Sequence, residues 1–128
     1  MVIEIDAKEW TDIFIKDIND KISEAKVEYA HFKDSSRVVF LQQAGNKLFS
    51  AVENYLMLKY KTRVKSYQQL RSLVKNSVED RNLLSKVVQL HYFFYQSTIM
   101  GEIEDFEDLF IQSLPELESR LSVLLEIK

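Results

Sequence analysis

An all-α fold, an antiparallel up-and-down bundle of four long helices plus one short one, is what this sequence predicts, and three observations carry that expectation. Apolar residues recur every three or four positions along most of the chain, the spacing of one helix face. Only two glycines and one proline are present in 128 residues, too few for the tight turns of a sheet protein. Ser and Asp residues followed three positions later by an acid or amide mark helix starts.

The first helix follows a short apolar lead-in of Val2, Ile3 and Ile5. Asp6 is placed to cap it, with Glu9 returning a bond three residues on. Trp10, Phe14, Ile18, Ile22, Ala25 and Tyr29 form its buried face. The opposite face carries Glu4/Lys8, Asp12/Lys16 and Asp17/Lys21, acid before base at a spacing of four, which suits a solvated surface. Lys33, Asp34, Ser35 and Ser36 interrupt the pattern and offer caps for the next helix.

A second helix is expected from about Arg37 to Tyr60, with Val38, Leu41, Ala44, Leu48, Ala51, Val52, Tyr55 and Leu56 on its apolar face. Gly45 lies within it. A glycine there costs about 1 kcal/mol against alanine, so close approach of a neighbouring helix or a slight bend is expected. Residues 59–65 read as a connector. Ser66 and Gln69 then form a capping box for a short helix through Val74, and Ser77 with Asp80 opens a fourth.

That fourth helix carries Leu83, Leu84, Val87, Val88, Leu90, Phe93 and Phe94, and is expected to be the most buried element, ending at Gly101. The last helix opens on Glu102, Glu104, Asp105, Glu107 and Asp108, where the helix dipole favours negative charge. Ile103, Phe106, Phe110, Leu114, Leu117, Leu121 and Leu124 are its buried stripe. Pro115 predicts a kink near residue 113, with Ser113 capping a restarted helix and Glu116 three residues beyond.

Composition limits the function classes. Hydrophobic residues make up 46% and charged residues 29%, a balance for one packed domain spanning residues 1–128. With 17 basic and 20 acidic residues the formal charge is −3, so any nucleic-acid contact has to be local. The absence of cysteine excludes disulfides, thiolate nucleophiles and thiolate metal sites. No uncharged apolar run suggests a signal peptide or membrane span, and a cytoplasmic protein is expected. Phosphate-loop, dinucleotide and Ser-His-Asp signatures are missing, and neither a cofactor nor a metal is expected.

Two stretches resemble a known family. Ala44-Gly45-Asn46-Lys47-Leu48-Phe49-Ser50-Ala51-Val52-Glu53-Asn54 is similar to the pattern of an alanine, a lysine three residues on and a further small residue found in archaeal PaREP1-type proteins, a branch of the HEPN superfamily. Leu90-His91-Tyr92-Phe93-Phe94-Tyr95-Gln96 resembles that branch's Leu-His-x-x-Phe-Tyr-Glu signature, with Gln96 in place of the acid. The resemblance spans roughly residues 37 to 127. It implies a four- or five-helix up-and-down bundle that dimerises. Many HEPN proteins are ribonucleases with an Arg, a polar residue and then a His after four to six intervening positions. Arg81-Asn82 matches the start of that motif, but Lys86, Val87 and Val88 stand where the histidine is expected, and His91 lies ten residues beyond Arg81.

Four sites merit weighing. His91, four residues before Tyr95, can share a hydrogen-bond network with it or act as an acid/base; the competing reading is a histidine satisfied in the core or at a dimer seam. His31 near a helix end is expected to favour that terminus electrostatically. Lys59, Lys61, Arg63 and Lys65, followed by Arg71 and Lys75 with Tyr60 and Tyr67 interleaved, can hold the phosphates of RNA or another polyanion while a tyrosine stacks a base. The competing reading is a solvated charged loop. Tyr92, Phe93, Phe94 and Tyr95 point all round a helix, so at least one faces a second subunit or a flanking helix of the same chain.

Taken together the sequence predicts a non-catalytic helical binding module, a homodimer acting on a protein or nucleic-acid partner. The alternative is a divergent ribonuclease or RNA-binding protein using Arg81, Asn82 and His91 across a dimer cleft.

Overall fold

The computed structural model describes residues 7–92 and 103–126, and these form an all-helical bundle of five helices. They are α1 (Ala7–Ser35), α2 (Val38–Tyr60), α3 (Tyr67–Val74), α4 (Val78–Tyr92) and α5 (Ile103–Glu126). The Asp6 cap, Phe93, Phe94, Tyr95, the Gly101 terminator and Glu102 lie outside the described residues. No described helix is long and apolar enough to cross a membrane.

The apolar faces read from periodicity make the core. Phe14, Ile18, Ile22 and Ala25 of α1 are buried, as are Leu41, Ala44, Leu48, Val52 and Leu56 of α2. Phe106, Phe110, Leu117 and Leu121 come in from α5. The central position belongs to α2, which packs against all four other helices. The solvent-facing residues of α4, Glu79, Arg81, Asn82, Ser85 and Gln89, give it a polar side. Gly45 makes the close approach that its mid-helix position suggests. A Cβ there would lie 3.1 Å from Leu90 Cβ, so α2 and α4 meet backbone against side-chain root at this point.

Helix ends follow local chemistry with three departures. First, α1 continues through Lys33 to Ser35 instead of breaking there. Ser35 Oγ donates back to the His31 carbonyl at 2.7 Å and accepts from the Arg37 amide at 3.1 Å. Ser36 takes the turn at φ 59°, and the N-cap of α2 is Arg37, without a side-chain cap. Second, the helix starts at Ser66 and Ser77 are only half made as capping boxes. Ser66 Oγ accepts from the Gln69 amide at 3.2 Å, but Gln69 Oε1 returns to the Lys65 amide. Ser77 Oγ accepts from the Asp80 amide at 3.2 Å, while the Asp80 carboxylate turns elsewhere. Ser66→Ala should therefore cost about 1 kcal/mol, measured by urea unfolding, because α3 is only 8 residues long and Ser66 supplies the side-chain cap at its start.

Third, α5 runs unbroken through Pro115, so the expected restart does not occur. Ser113 is buried and donates to the Leu109 carbonyl at 2.6 Å instead of capping a new helix. The carbonyl that loses its partner to Pro115 belongs to Ile111, an exposed residue, where water can replace the missing amide. Glu116 is drawn into ion pairs with Lys86 at 3.1 Å and Arg120 at 3.3 Å.

Polar ties fasten α1 to α5. Glu107 Oε2 accepts from the Tyr29 hydroxyl at 2.6 Å and from Lys33 Nζ at 3.0 Å, so this acid has partners beyond the helix dipole. Those hydrogen bonds hold the Glu107 carboxyl below its ordinary range. Burial and the same carboxylate push the Tyr29 phenol up to about 12.

Candidate functional site

Two concavities compete. One, of about 440 Å³, is lined by Tyr55, Lys59, Glu79, Glu116, Ser119, Arg120, Val123 and Leu124. Its cations are already taken. Lys59 Nζ donates to Asp80 Oδ2 at 2.8 Å, and Arg120 pairs with Glu79 at 3.2 Å, with Glu116 at 3.3 Å and with Asp80 Oδ1 at 3.7 Å. Asp80 is wholly buried, and the Tyr60 hydroxyl donates to its Oδ2 at 2.5 Å. Burial pushes the Asp80 carboxyl up, but hydrogen bonds from Lys59 and Tyr60 and the charges of Lys59 and Arg120 outweigh it, leaving the group below its ordinary value. Burial and the neighbouring carboxylate raise the Tyr60 phenol to about 12. This cluster is an internal ionic tie joining α2, α4 and α5.

The other concavity, of about 540 Å³, lies between α3 and α4 and has a different balance. It is lined by Tyr67, Arg71, Val74, Lys75, Arg81, Leu84, Ser85, Val88 and Gln89: three cations and no acid. Residues 54–78 contain no acidic residue at all. The two acids that follow, Glu79 and Asp80, are bound to Arg120 and Lys59. None of the three groove cations makes an ion pair among the described residues. Arg81 donates through Nη1 to the Lys75 carbonyl, which satisfies a C-terminal acceptor of α3 and pins α3 on α4.

Ring contacts fix the other end of this groove. Arg71 lies over the Tyr67 ring at 5.8 Å, and Tyr67 meets Tyr92 at 5.7 Å. Tyr92 is 53% exposed and stands nearly perpendicular to His91 at 4.5 Å and to Phe49 at 5.8 Å. His91 itself lies flat on Phe49 at 4.4 Å, with 1° between the rings. Its Nδ1 is 2.9 Å from Asn46 Oδ1. Because an amide oxygen only accepts, Nδ1 carries the proton and Nε2 is left as an acceptor. Burial lowers the imidazole below its ordinary value, which favours the neutral ring.

The expected site residues are thus sorted. Lys59 is not on the connector: it closes the last turn of α2 and serves Asp80, as does Tyr60. Lys61, Arg63 and Lys65 stand exposed on the connector and do not line the groove. Arg71, Lys75 and Tyr67 come together as the sequence suggests, joined by Arg81. Within one chain Arg81 and His91 stay apart, because α4 is unbroken between them and ten residues rise about 15 Å. Arg81 and Asn82 are exposed near the start of α4, and His91 pairs with Asn46 near its end. His31 is exposed and lies edge-on to Phe40 at 5.2 Å.

No family model, curated protein or solved structure matches the chain. The chemistry of the site itself therefore carries the functional reading. Two of its residues escape the periodicity, although the sequence holds a signal for one. Asp80 stands three, four and seven residues before Leu83, Leu84 and Val87, on the face that becomes buried. An acid on an apolar stripe demands a buried cationic or hydroxyl partner, and Lys59 and Tyr60 are those partners. Asn46, which accepts the hydrogen bond from His91, stands out in the sequence only as one position of a resembling stretch.

Proposed function

We propose that this chain is a non-catalytic binding module whose α3–α4 groove holds a polyanion through Arg71, Lys75 and Arg81. The observation that carries this reading is the groove's charge: three cations, no lining acid and no ion pair to neutralise them among the described residues. A net charge of −3 does not oppose it, since attraction at contact range is set by local charges once salt screens distant ones to about 8–10 Å.

The finer features expected from the sequence belong to the same proposal: an antiparallel up-and-down arrangement, membership of the PaREP1-type branch of HEPN proteins, and a homodimer. Two contacts support the family reading. The two stretches that carry the resemblance pack on each other, Gly45 against Leu90 and Asn46 against His91, joining residues 45 positions apart. The ribonuclease alternative needs a second subunit to bring Arg81 and His91 to one phosphate.

The groove is tested by titrating a labelled oligoribonucleotide in dilute and moderate salt. Affinity should fall steeply with salt, and Arg71→Ala with Lys75→Ala should reduce the slope of log K against log salt by about 0.7 for each phosphate that the variant no longer neutralises. Lys16→Ala, which removes an exposed lysine paired with Asp20 on α1, should change nothing. Absence of binding in dilute buffer, or binding indifferent to salt, would remove the proposal.

A further inference from the structure

The groove has two unlike ends. At one, Lys75 and Arg81 are joined by the Arg81 hydrogen bond. At the other, Tyr67 of the lining touches Tyr92, which stands just beyond the groove. Arg81 and Tyr92 are eleven residues apart on α4, so the helix rise separates the ends by roughly 16 Å. That is a length for a short oligomer, not for a single phosphate ion.

The aromatic end is a built surface. Tyr92 is half exposed, yet three other rings set its orientation: Phe49 and His91 stand nearly perpendicular to it, both at 81°, and Tyr67 meets it at 53°. His91 cannot swing away, since it is stacked on Phe49 and bonded to Asn46. The half-exposed ring is thus held in one orientation at the surface. Arg71 over Tyr67 makes the step from the rings to the charges continuous.

Resting on the polyanion reading of this groove, we propose that the ligand is single-stranded nucleic acid, with phosphates on Arg71, Lys75 and Arg81 and an unpaired base laid on Tyr92. A duplex presents the same phosphates but keeps its base faces stacked inside, so it can use the charged end and not the ring. An acidic peptide likewise offers charge without flat rings at every repeat.

The test compares four labelled probes in the same buffer: a single-stranded oligoribonucleotide, its blunt duplex, an abasic strand with the same phosphates, and a poly-glutamate peptide. The single strand should bind about tenfold more tightly than the other three, the effect of one stacked base. Tyr92→Ala should remove that advantage without altering the salt slope. Tyr92→Phe, which keeps the ring, should retain it. Arg71→Ala should lower the slope instead, and circular dichroism would confirm that each variant stays helical. Equal binding of single, duplex and abasic strands, unmoved by Tyr92→Ala, overturns base stacking while leaving the polyanion groove standing. Poly-glutamate binding as tightly as the single strand also overturns it. No binding of any probe in dilute salt overturns both readings together.

Discussion

Asp80→Asn is expected to destabilise the protein by about 3 kcal/mol, the cost of breaking a buried ion pair from one side. The carboxylate is wholly buried and accepts from Lys59 and Tyr60, with Arg120 Nη1 3.7 Å from its other oxygen. An amide keeps the shape but leaves Lys59 and Arg120 facing a neutral group. The effect also has a pH signature. The folded Asp80 lies below its ordinary value of 3.8, so its contribution is fully present above that value and is lost as pH falls through the folded one. Urea unfolding of both proteins should therefore show a gap that is constant at neutral pH and narrows below about pH 4. A gap that persists unchanged into acid would mean that the charge is not the source of the stability.

Gly45→Leu is expected to cost about 2–3 kcal/mol, because its Cβ alone would sit 3.1 Å from Leu90 Cβ and the longer chain has nowhere to go without moving α4. Alanine at this position sets a helix-propensity gain of about 1 kcal/mol against the same tight contact. Forcing α4 outward also pulls His91 away from Asn46, so the His91 ring protons should shift in the NMR spectrum. Combining Gly45→Leu with Leu90→Ala should recover part of the destabilisation, and strict additivity of the two would show that these positions do not touch.

How much of the fold is legible in the chain depends on the kind of force involved. The helices and their buried faces can be read, since burial of Ile18, Leu48, Val87 or Phe110 repeats with the helix and leaves a period in the sequence. Gly45 can be read as well, because its cost inside a helix demands a reason. Helix ends are harder. Ser66 and Ser77 are caps, as their spacing suggests, but the return partners that the spacing assigns them, Gln69 and Asp80, find other bonds. Pro115 promises more disruption than it delivers: its clash is local, and the packing of Phe110, Leu117 and Leu121 on either side holds one helix together.

The candidate site is legible in part. Arg71, Lys75 and Tyr67 are close neighbours in the chain at one short helix, and a local pattern shows them. Lys59 cannot be placed from its surroundings because its partner lies 21 positions away, and an ion pair over that distance leaves no spacing to recognise. Arg81 draws notice as the start of a nuclease-like motif, whereas its place in the fold is the rim of the groove. The braced Tyr92 surface depends on Phe49 and Tyr67 from two other helices, information that exists only once the chain has folded.

The turn at Ser36 has a consequence for how the molecule assembles. The two continuous neighbours α1 and α2 are linked by Ser36 and Arg37 alone and share the most extensive seam in the bundle. Closing so short a loop costs little chain entropy, so this hairpin can gather much of the core before distant segments arrive. It would present Gly45 and Phe49 as a prepared surface, and α4 would dock on it later, bringing His91 to Asn46. Changes along the hairpin should then act mainly on the rate of folding, and changes at the α4 seam mainly on the rate of unfolding.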